Sequence, residues 1–504
     1  MNIMKKIIIT TFLLATFSAC SDFLDVKPET TLPSANFYKT KADFEQAVVG
    51  IYAPLQTIYS QDWQLSELRT DNTHFIFNIG NRGGKPTEDI ATFTVETNNV
   101  TVITQWNTDY LIIARANEVL GLIDEASLDQ IVKNSVKGQA LFLRAFAYFD
   151  LVRKFGGVPL MLVPPKSYEE TFKSRSTATE IYNQIIKDVN ASVSLLPVKS
   201  TGTLGRATSG AANVLLADVY MTLGRWAEAE AALLLVTNMG YNLLPNYADV
   251  FKPSNKGNSE IIFEIGYIFG TSQPLFSAVP YSFLPATPNP AVITGVSPAN
   301  ANGGGSLNIP TPEMIAAYES QVNDKRFAAS IGFFTGAGAL VGIPTYTNQP
   351  YIIKYLHPHA VYGQTDENWP VYRYAEVLLM LAECLNEQNK SGAIGYLNQV
   401  RTRAGLPDKV FTSQTAFRDD VLKERRVELA FENKRWYDLI RAGKAIEVMN
   451  AFGVSMLANP QNYYYPTGTT PPPNSFNVTA NLLLYPIPVT EIIVNPQLTQ
   501  NPGY

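Results

Sequence analysis

Two stretches of this chain interleave aromatic rings with amides and charges, the mixture that recognition of a sugar ring requires. Trp63 leads into Asn72, His74, Phe75, Phe77 and Asn78. Further along stand Tyr267, Phe269, Tyr281, Phe283, Tyr346, Tyr351 and Tyr355. A ring face can stack on the apolar face of a pyranose while neighbouring amides hydrogen-bond its hydroxyls. The competing reading makes each ring local core, holding an irregular loop together.

Catalysis has less to stand on. Arg425, Arg426, Glu428, Glu432 and Arg435 fall at i+3 and i+4 intervals, which suits ion pairs along a packed helix. Glu376 and Glu383 also share a helix, and no motif marks the two carboxylates, ~5–9 Å apart across a cleft, that glycoside hydrolysis needs. His357-Pro358-His359 accounts for two of the 3 histidines, lacks a third ligand at a metal-site spacing and reads as a loop pair without function. Nucleophile elbows, P-loops and dinucleotide fingerprints are missing from the sequence. The chain therefore reads as a non-enzyme, with no catalytic residue, cofactor or metal site assigned.

Helices must carry these stretches. Apolar residues recur at three- and four-residue spacing over Asp43–Ser60, Trp106–Ile123, Ile131–Phe155, Thr179–Leu196, Gly210–Leu223 and Trp226–Met239. A second block covers Trp369–Glu387, Ser391–Ala404 and Phe417–Ile440. Gly156-Gly157, Gly240 and Gly405-Leu406-Pro407 punctuate helix ends. Leu216, Ala217, Tyr220, Gly224, Trp226, Ala229 and Leu233 fall at tetratricopeptide positions, small where two helices touch and large beside them. Met380–Val400 resembles a second copy. Residues 251–368 differ: Pro, Gly, Asn and aromatics crowd them around Gly303-Gly304-Gly305, and Pro312–Tyr318 alone is helical. Packed loops and short strands are expected there. A second irregular stretch, Asn459–Asn481, holds three consecutive tyrosines. The expected fold is mainly α, a tetratricopeptide-like helical scaffold (20–250 and 369–504) with a loop-rich insert containing short strands (251–368). Trp106, Trp226, Trp369 and Trp436 fall in scaffold motifs and read as packing, which leaves Trp63 as the tryptophan for a platform.

The 504 residues are 46% hydrophobic and 16% charged, a globular composition. A formal net charge of -5 argues against a nucleic-acid partner, which demands surplus Lys and Arg. Lys5 and Lys6 precede the apolar run Ile7–Phe17, followed by Ser18-Ala19-Cys20. That is a basic head, a short apolar core and a small-residue cleavage site, well short of the ~20 residues of a spanning helix. A cysteine at that place marks a lipoprotein: residues 1–19 are signal peptide and Cys20 is the lipidated first mature residue. Phe17 stands where such signals favour Leu. Cys384 then has no cysteine partner and reads as a small buried hydrophobe.

These segments together resemble the SusD/RagB family of outer-membrane nutrient-binding lipoproteins. The resemblance rests on Cys20–Pro28, Asn36-Phe37-Tyr38, Ala47–Tyr52, Ser66–Asn72, Arg115–Leu120 and Leu143–Tyr148 with Phe155–Leu160. It continues through Arg373–Leu379, Tyr396–Arg401, Glu424–Glu432, Arg435–Leu439 and Leu484–Pro488. It implies a single SusD-like domain over 20–504 and a non-catalytic, surface-exposed lipoprotein on the outer membrane. Such a protein binds a nutrient, most often an oligosaccharide, and delivers it to a SusC-like TonB-dependent transporter, its partner. The family's ligand sites fall in loops at the two aromatic stretches named above. Peptides as the nutrient, a secreted glycoside hydrolase and a periplasmic scaffolding repeat protein are the alternatives.

Cys20→Ala should leave an unlipidated precursor that does not anchor. Labelling of the variant with radioactive palmitate at the wild-type level would refute this.

Overall fold

The computed structural model describes residues 38–80, 84–297 and 304–504; the expected signal peptide and Cys20 lie outside them. The scaffold helices stack in chain order. α1 (Lys41–Ser66) packs on α2 (Val100–Leu122), α2 on α3 (Gln130–Phe155), and α3 on α4 (Ala178–Leu195). α4 packs on α5 (Ser209–Thr222) and α5 on α6 (Trp226–Thr237). α6 then meets α7 (Tyr374–Glu387) across the whole insert, and α7 packs on α8 (Ala393–Arg403) and α9 (Gln414–Glu428). α10 (Arg435–Arg441) and α11 (Ala445–Ala458) follow. Among the described residues, no helix is long and apolar enough to cross a membrane.

Local chemistry sets the helix starts. Thr40 with Asp43, and Thr177 with Glu180, close capping boxes at α1 and α4, and Asn99, Asp129 and Thr208 cap α2, α3 and α5. Each satisfies amides that the first turn leaves free. In the α5–α6 pair, Ala217 and Ala229 are fully buried where the helices touch. Gly224 takes φ +69° in the connecting turn, a conformation that costs glycine nothing. Trp226 packs against the main core as expected, but is half-buried where the other three scaffold tryptophans are fully covered.

Among the described residues, six strands pair two by two. β1 (Thr73–His74) lies antiparallel to β3 (Ile309–Pro310), and β2 (Ile261–Ile265) to β6 (Trp369–Arg373). β4 (Ile331–Leu340) and β5 (Ile343–Ile352) form a long hairpin. β6 corrects the expected helix start at Trp369: this segment is buried throughout, and a continuous apolar run does not separate strand from helix.

The expected helix Phe417–Ile440 is also broken. α9 ends at Glu428, and Phe431 and Asn433 turn at φ +65° and +63°. Groups from distant elements hold that turn. The Glu67 carboxylate accepts from the Phe431 and Asn433 amides at 3.2 Å each, and Lys354 Nζ donates to the Ala430 carbonyl at 2.8 Å. These three backbone groups, which a continuing helix would have paired internally, thus find buried partners.

The charged signature pairs across elements and not along its own helix. Arg373 donates to Glu260 (2.9 Å), Glu428 (2.5 Å) and Glu432 (2.8 Å). Arg403 reaches Glu260 and Glu428, Arg401 reaches Glu424, and Lys354 reaches Glu432. Arg326 binds Asp324, Glu424 and Glu428. Burial pushes the Glu428 carboxyl up, but Arg403, Arg373 and Arg326 outweigh it and hold the group down at about 2. A neighbouring set joins Arg425 to Asp438 and Glu376, and Arg435 and Arg426 to Asp71.

Glu428→Gln keeps the shape and removes the one carboxylate charge that Arg326, Arg373 and Arg403 share. Removing one partner of a buried ion pair costs ~3–5 kcal/mol, so the urea unfolding midpoint should fall sharply. An unchanged midpoint would show that the network is solvated.

Candidate functional site

The two expected stretches do come together, with help from a third. β1 to β3 pairing lays the chain after His74 along the insert, and Ile76, Ile309 and Tyr346 form a small core of their own. Half-buried Phe334, Leu340, Ile343 and Tyr464 pack around it. The third stretch is the tyrosine triplet. Tyr464 donates its hydroxyl to the Pro310 carbonyl and accepts the Phe77 amide on its own carbonyl at 3.3 Å. Tyr465 stacks on Phe77 with centroids 5.5 Å apart, and Tyr463 bonds Glu313. The triplet was legible only as unusual composition in an irregular stretch.

The resulting rim is open at its edge. Ile79 is 55% and Val341, at the hairpin tip, 59% exposed. A Cβ on Gly80 would collide with the Val341 side chain, so loop and hairpin tip touch. Phe77 and Asn78 are half-buried beside them, and the Asn78 side-chain Oδ1 accepts from the Gly80 amide at 3.0 Å.

Several expected platform residues are not on the surface. Trp63 is 2% exposed, meets Phe283 edge-on at 5.4 Å and donates Nε1 to the Ser60 carbonyl. It points inward because the insert supplies a ring to cover it, so the structure makes it core. Phe283 is fully buried. Asn72 sits between Glu67 (2.9 Å) and Arg426 (2.8 Å), and its amide supports the broken turn from below. Burial raises Glu67 to about 7 despite the hydrogen bond from Asn72. His74 and Phe75 are buried against Tyr465.

The insert rings fold back on their own glycines. The rings of Tyr351 and Tyr346 lie over Gly332 and Gly338 of β4, where a Cβ would stand 3.0 and 3.3 Å from them. Tyr346 is buried and Tyr351 half-buried. Tyr267 is buried with its hydroxyl on the Gln56 carbonyl at 3.2 Å, and Phe269 is half-buried. Tyr355 stacks on Trp369 at 4.8 Å. Tyr281 donates to His359 Nε2 at 2.5 Å, since His359 Nδ1 already gives its proton to the His357 carbonyl at 2.8 Å. His357 in turn meets Glu367 at 2.9 Å. The histidine pair therefore anchors a loop. Among the described residues, no cluster of three or more His, Cys, Asp or Glu side chains could hold a metal ion, and Cys384 is buried. What the rim offers is a shallow edge of ring, amide and aliphatic surface, suited to binding by stacking and hydrogen bonding.

The profile of the SusD family matches residues 344–504, and one described as "Starch-binding associating with outer membrane" matches 22–221. SusD-like protein P2 of Formosa agariphila is 31% identical over 99% of this chain and 100% of its own length. The starch-binding protein SusD of Bacteroides thetaiotaomicron is 24% identical over 76% of this chain and 74% of its own. Among solved structures, a laminarin-binding SusD-like protein superposes with TM-score 0.75 at 26% identity, covering 93% of this chain and 100% of that one.

Burial lowers the His74 imidazole from 6.5 to about 3. An unfolded chain protonates this ring below 6.5 and the folded one does not, so the stability it lends is full above 6.5 and drains as the pH falls toward 3. The loss runs at about 1.4 kcal/mol per pH unit. Between pH 6.5 and 4, wild type should lose about 3 kcal/mol more than His74→Phe in chemical denaturation. Parallel acid slopes for the two proteins would mean that His74 is charged in the fold.

Proposed function

The chain belongs to the SusD family, and on that premise we propose that it captures a glycan at the cell surface and passes it to a SusC-like TonB-dependent transporter. The rim carries this reading. Three loop stretches, far apart in sequence, converge there into one aromatic and amide-bearing edge mounted on stacked helices. Phe77, with Asn78 beside it, Tyr464 and Phe334 are its ligand groups, and Phe269 and Tyr351 extend the aromatic surface of the insert. Contacts of this kind bind without cleaving, and the protein acts as a carrier and not as a hydrolase.

The anchoring half of the proposal rests on the lipoprotein signal that ends at Cys20. A lipidated cysteine holds the mature chain to the outer membrane, where the "associating with outer membrane" description of the matched profile supports its placement. Outward orientation follows from the role, because a glycan too large for passive diffusion must be captured before it crosses. Starch and laminarin are bound by relatives with those names, so α- and β-linked glucans are the first ligands to try.

A ring stacked on a sugar contributes ~1–2 kcal/mol. Phe77→Ala should therefore weaken glycan binding about 5- to 30-fold with the melting temperature little changed. Calorimetry against a panel of glucans and peptides measures the first, and chromatography of the recovered ligand should find it uncleaved. Unaltered affinity in the variant would remove Phe77 from the site, and accumulation of shortened sugar would replace carrier by hydrolase.

A further inference from the structure

The protein has 5 tryptophans. Trp63, Trp106, Trp369 and Trp436 are 2%, 3%, 4% and 1% exposed, whereas Trp226 is half-buried. Its indole, at the first residue of α6, lines a cleft of about 400 Å3 shared with residues of α7, α9 and α10 and away from the rim. Two guanidinium–carboxylate forks share that lining. Arg418 gives Nε and Nη2 to Glu387 at 2.5 and 2.8 Å, and Arg441 gives the same edge to Glu383 at 2.8 and 2.9 Å.

This arrangement has a chemical preference. A fork engaged through Nε and Nη2 leaves the Nη1 hydrogens and the outer carboxylate lone pairs unspent. Pairing cancels the charge of each fork, so a free ion gains little from either. Donors and acceptors side by side match the vicinal hydroxyls of a pyranose, and an indole face matches its C–H face. The volume falls in the range of small-ligand sites. We propose that this cleft is a second saccharide subsite, independent of the rim, with Trp226 as its stacking face and the two forks as its hydroxyl ligands. The inference takes its ligand class from the glycan-binding reading and extends that reading to a second place on the molecule.

Fluorine resonances of protein grown on 5-fluorotryptophan test it, with the Trp226 signal assigned by Trp226→Phe. Titration with a panel of α- and β-linked glucose hexaoses, maltohexaose and laminarihexaose included, should shift that signal saturably. The shift should persist in Phe77→Ala. It should need about ten-fold more sugar in Glu387→Ala and Arg418→Ala, both at the solvent-facing fork, where folding is not at stake. A silent Trp226 in protein whose rim binds sugar by calorimetry overturns the subsite and leaves the carrier reading standing. Silence at both places across the panel overturns both. A Trp226 shift that vanishes in Phe77→Ala is transmitted from the rim, and the cleft is then not a site of its own.

Discussion

Ten buried charges decide how this chain is assembled. Arg326, Lys354, Arg373, Arg401 and Arg403 face Asp324, Glu260, Glu424, Glu428 and Glu432, five of each sign. Taking such groups out of water costs several kcal/mol apiece, and attraction offsets that only when every partner is in place. The set therefore acts less as glue than as a lock on registry. Glu260 comes from the start of the insert, Asp324, Arg326 and Lys354 from farther along it, Arg373 from the strand that follows it, and the remainder from α8, α9 and the turn after it. No one of these segments can shift without stranding a charge from another.

The rim inherits its rigidity from that lock. Lys354 and Glu67 hold the turn after α9, and Asn72 ties Glu67 to Arg426. Directly beyond Asn72 the chain enters β1 and then the exposed loop that carries Phe77 and Asn78. A loop whose root is fixed by buried hydrogen bonds presents its side chains at little cost in ordering entropy, which favours weak, stacking-based recognition. Variation in the loop itself leaves the lock untouched.

Much of the scaffold was legible from local chemistry. Apolar spacing announces helices over Asp43–Ser60 and Thr179–Leu196, and the small residues Ala217 and Ala229 announce a packed pair. The misses share a cause: in each, a distant segment overrules the local pattern. Apolar periodicity runs straight through Leu429–Lys434, and Glu67, 364 residues before Phe431, stops the helix. Trp369–Arg373 looks like helix because a strand covered on both faces shows no alternation. The burial of Trp63 and the partial exposure of Trp226 have the same reason. Phe283 of the insert closes over the first, and the walls that α7, α9 and α10 raise beside the second leave a gap. The signature Arg425–Arg435 does form ion pairs, but its partners lie on other elements and spacing along one helix does not find them.

The insert leaves and rejoins the scaffold at a single place, since Ile265 stands directly opposite Trp369 in the β2 to β6 ladder. Neighbouring strands are ~5 Å apart, so everything between those two residues is a closed excursion whose ends already touch. Its length and content can change without altering the distance the helices must span. The fold is in that sense a socket with an exchangeable cassette. The hundred-odd residues between Ile265 and Trp369 lock onto the helical frame through Asp324, Arg326 and Lys354, so a replacement cassette has to bring those charges with it.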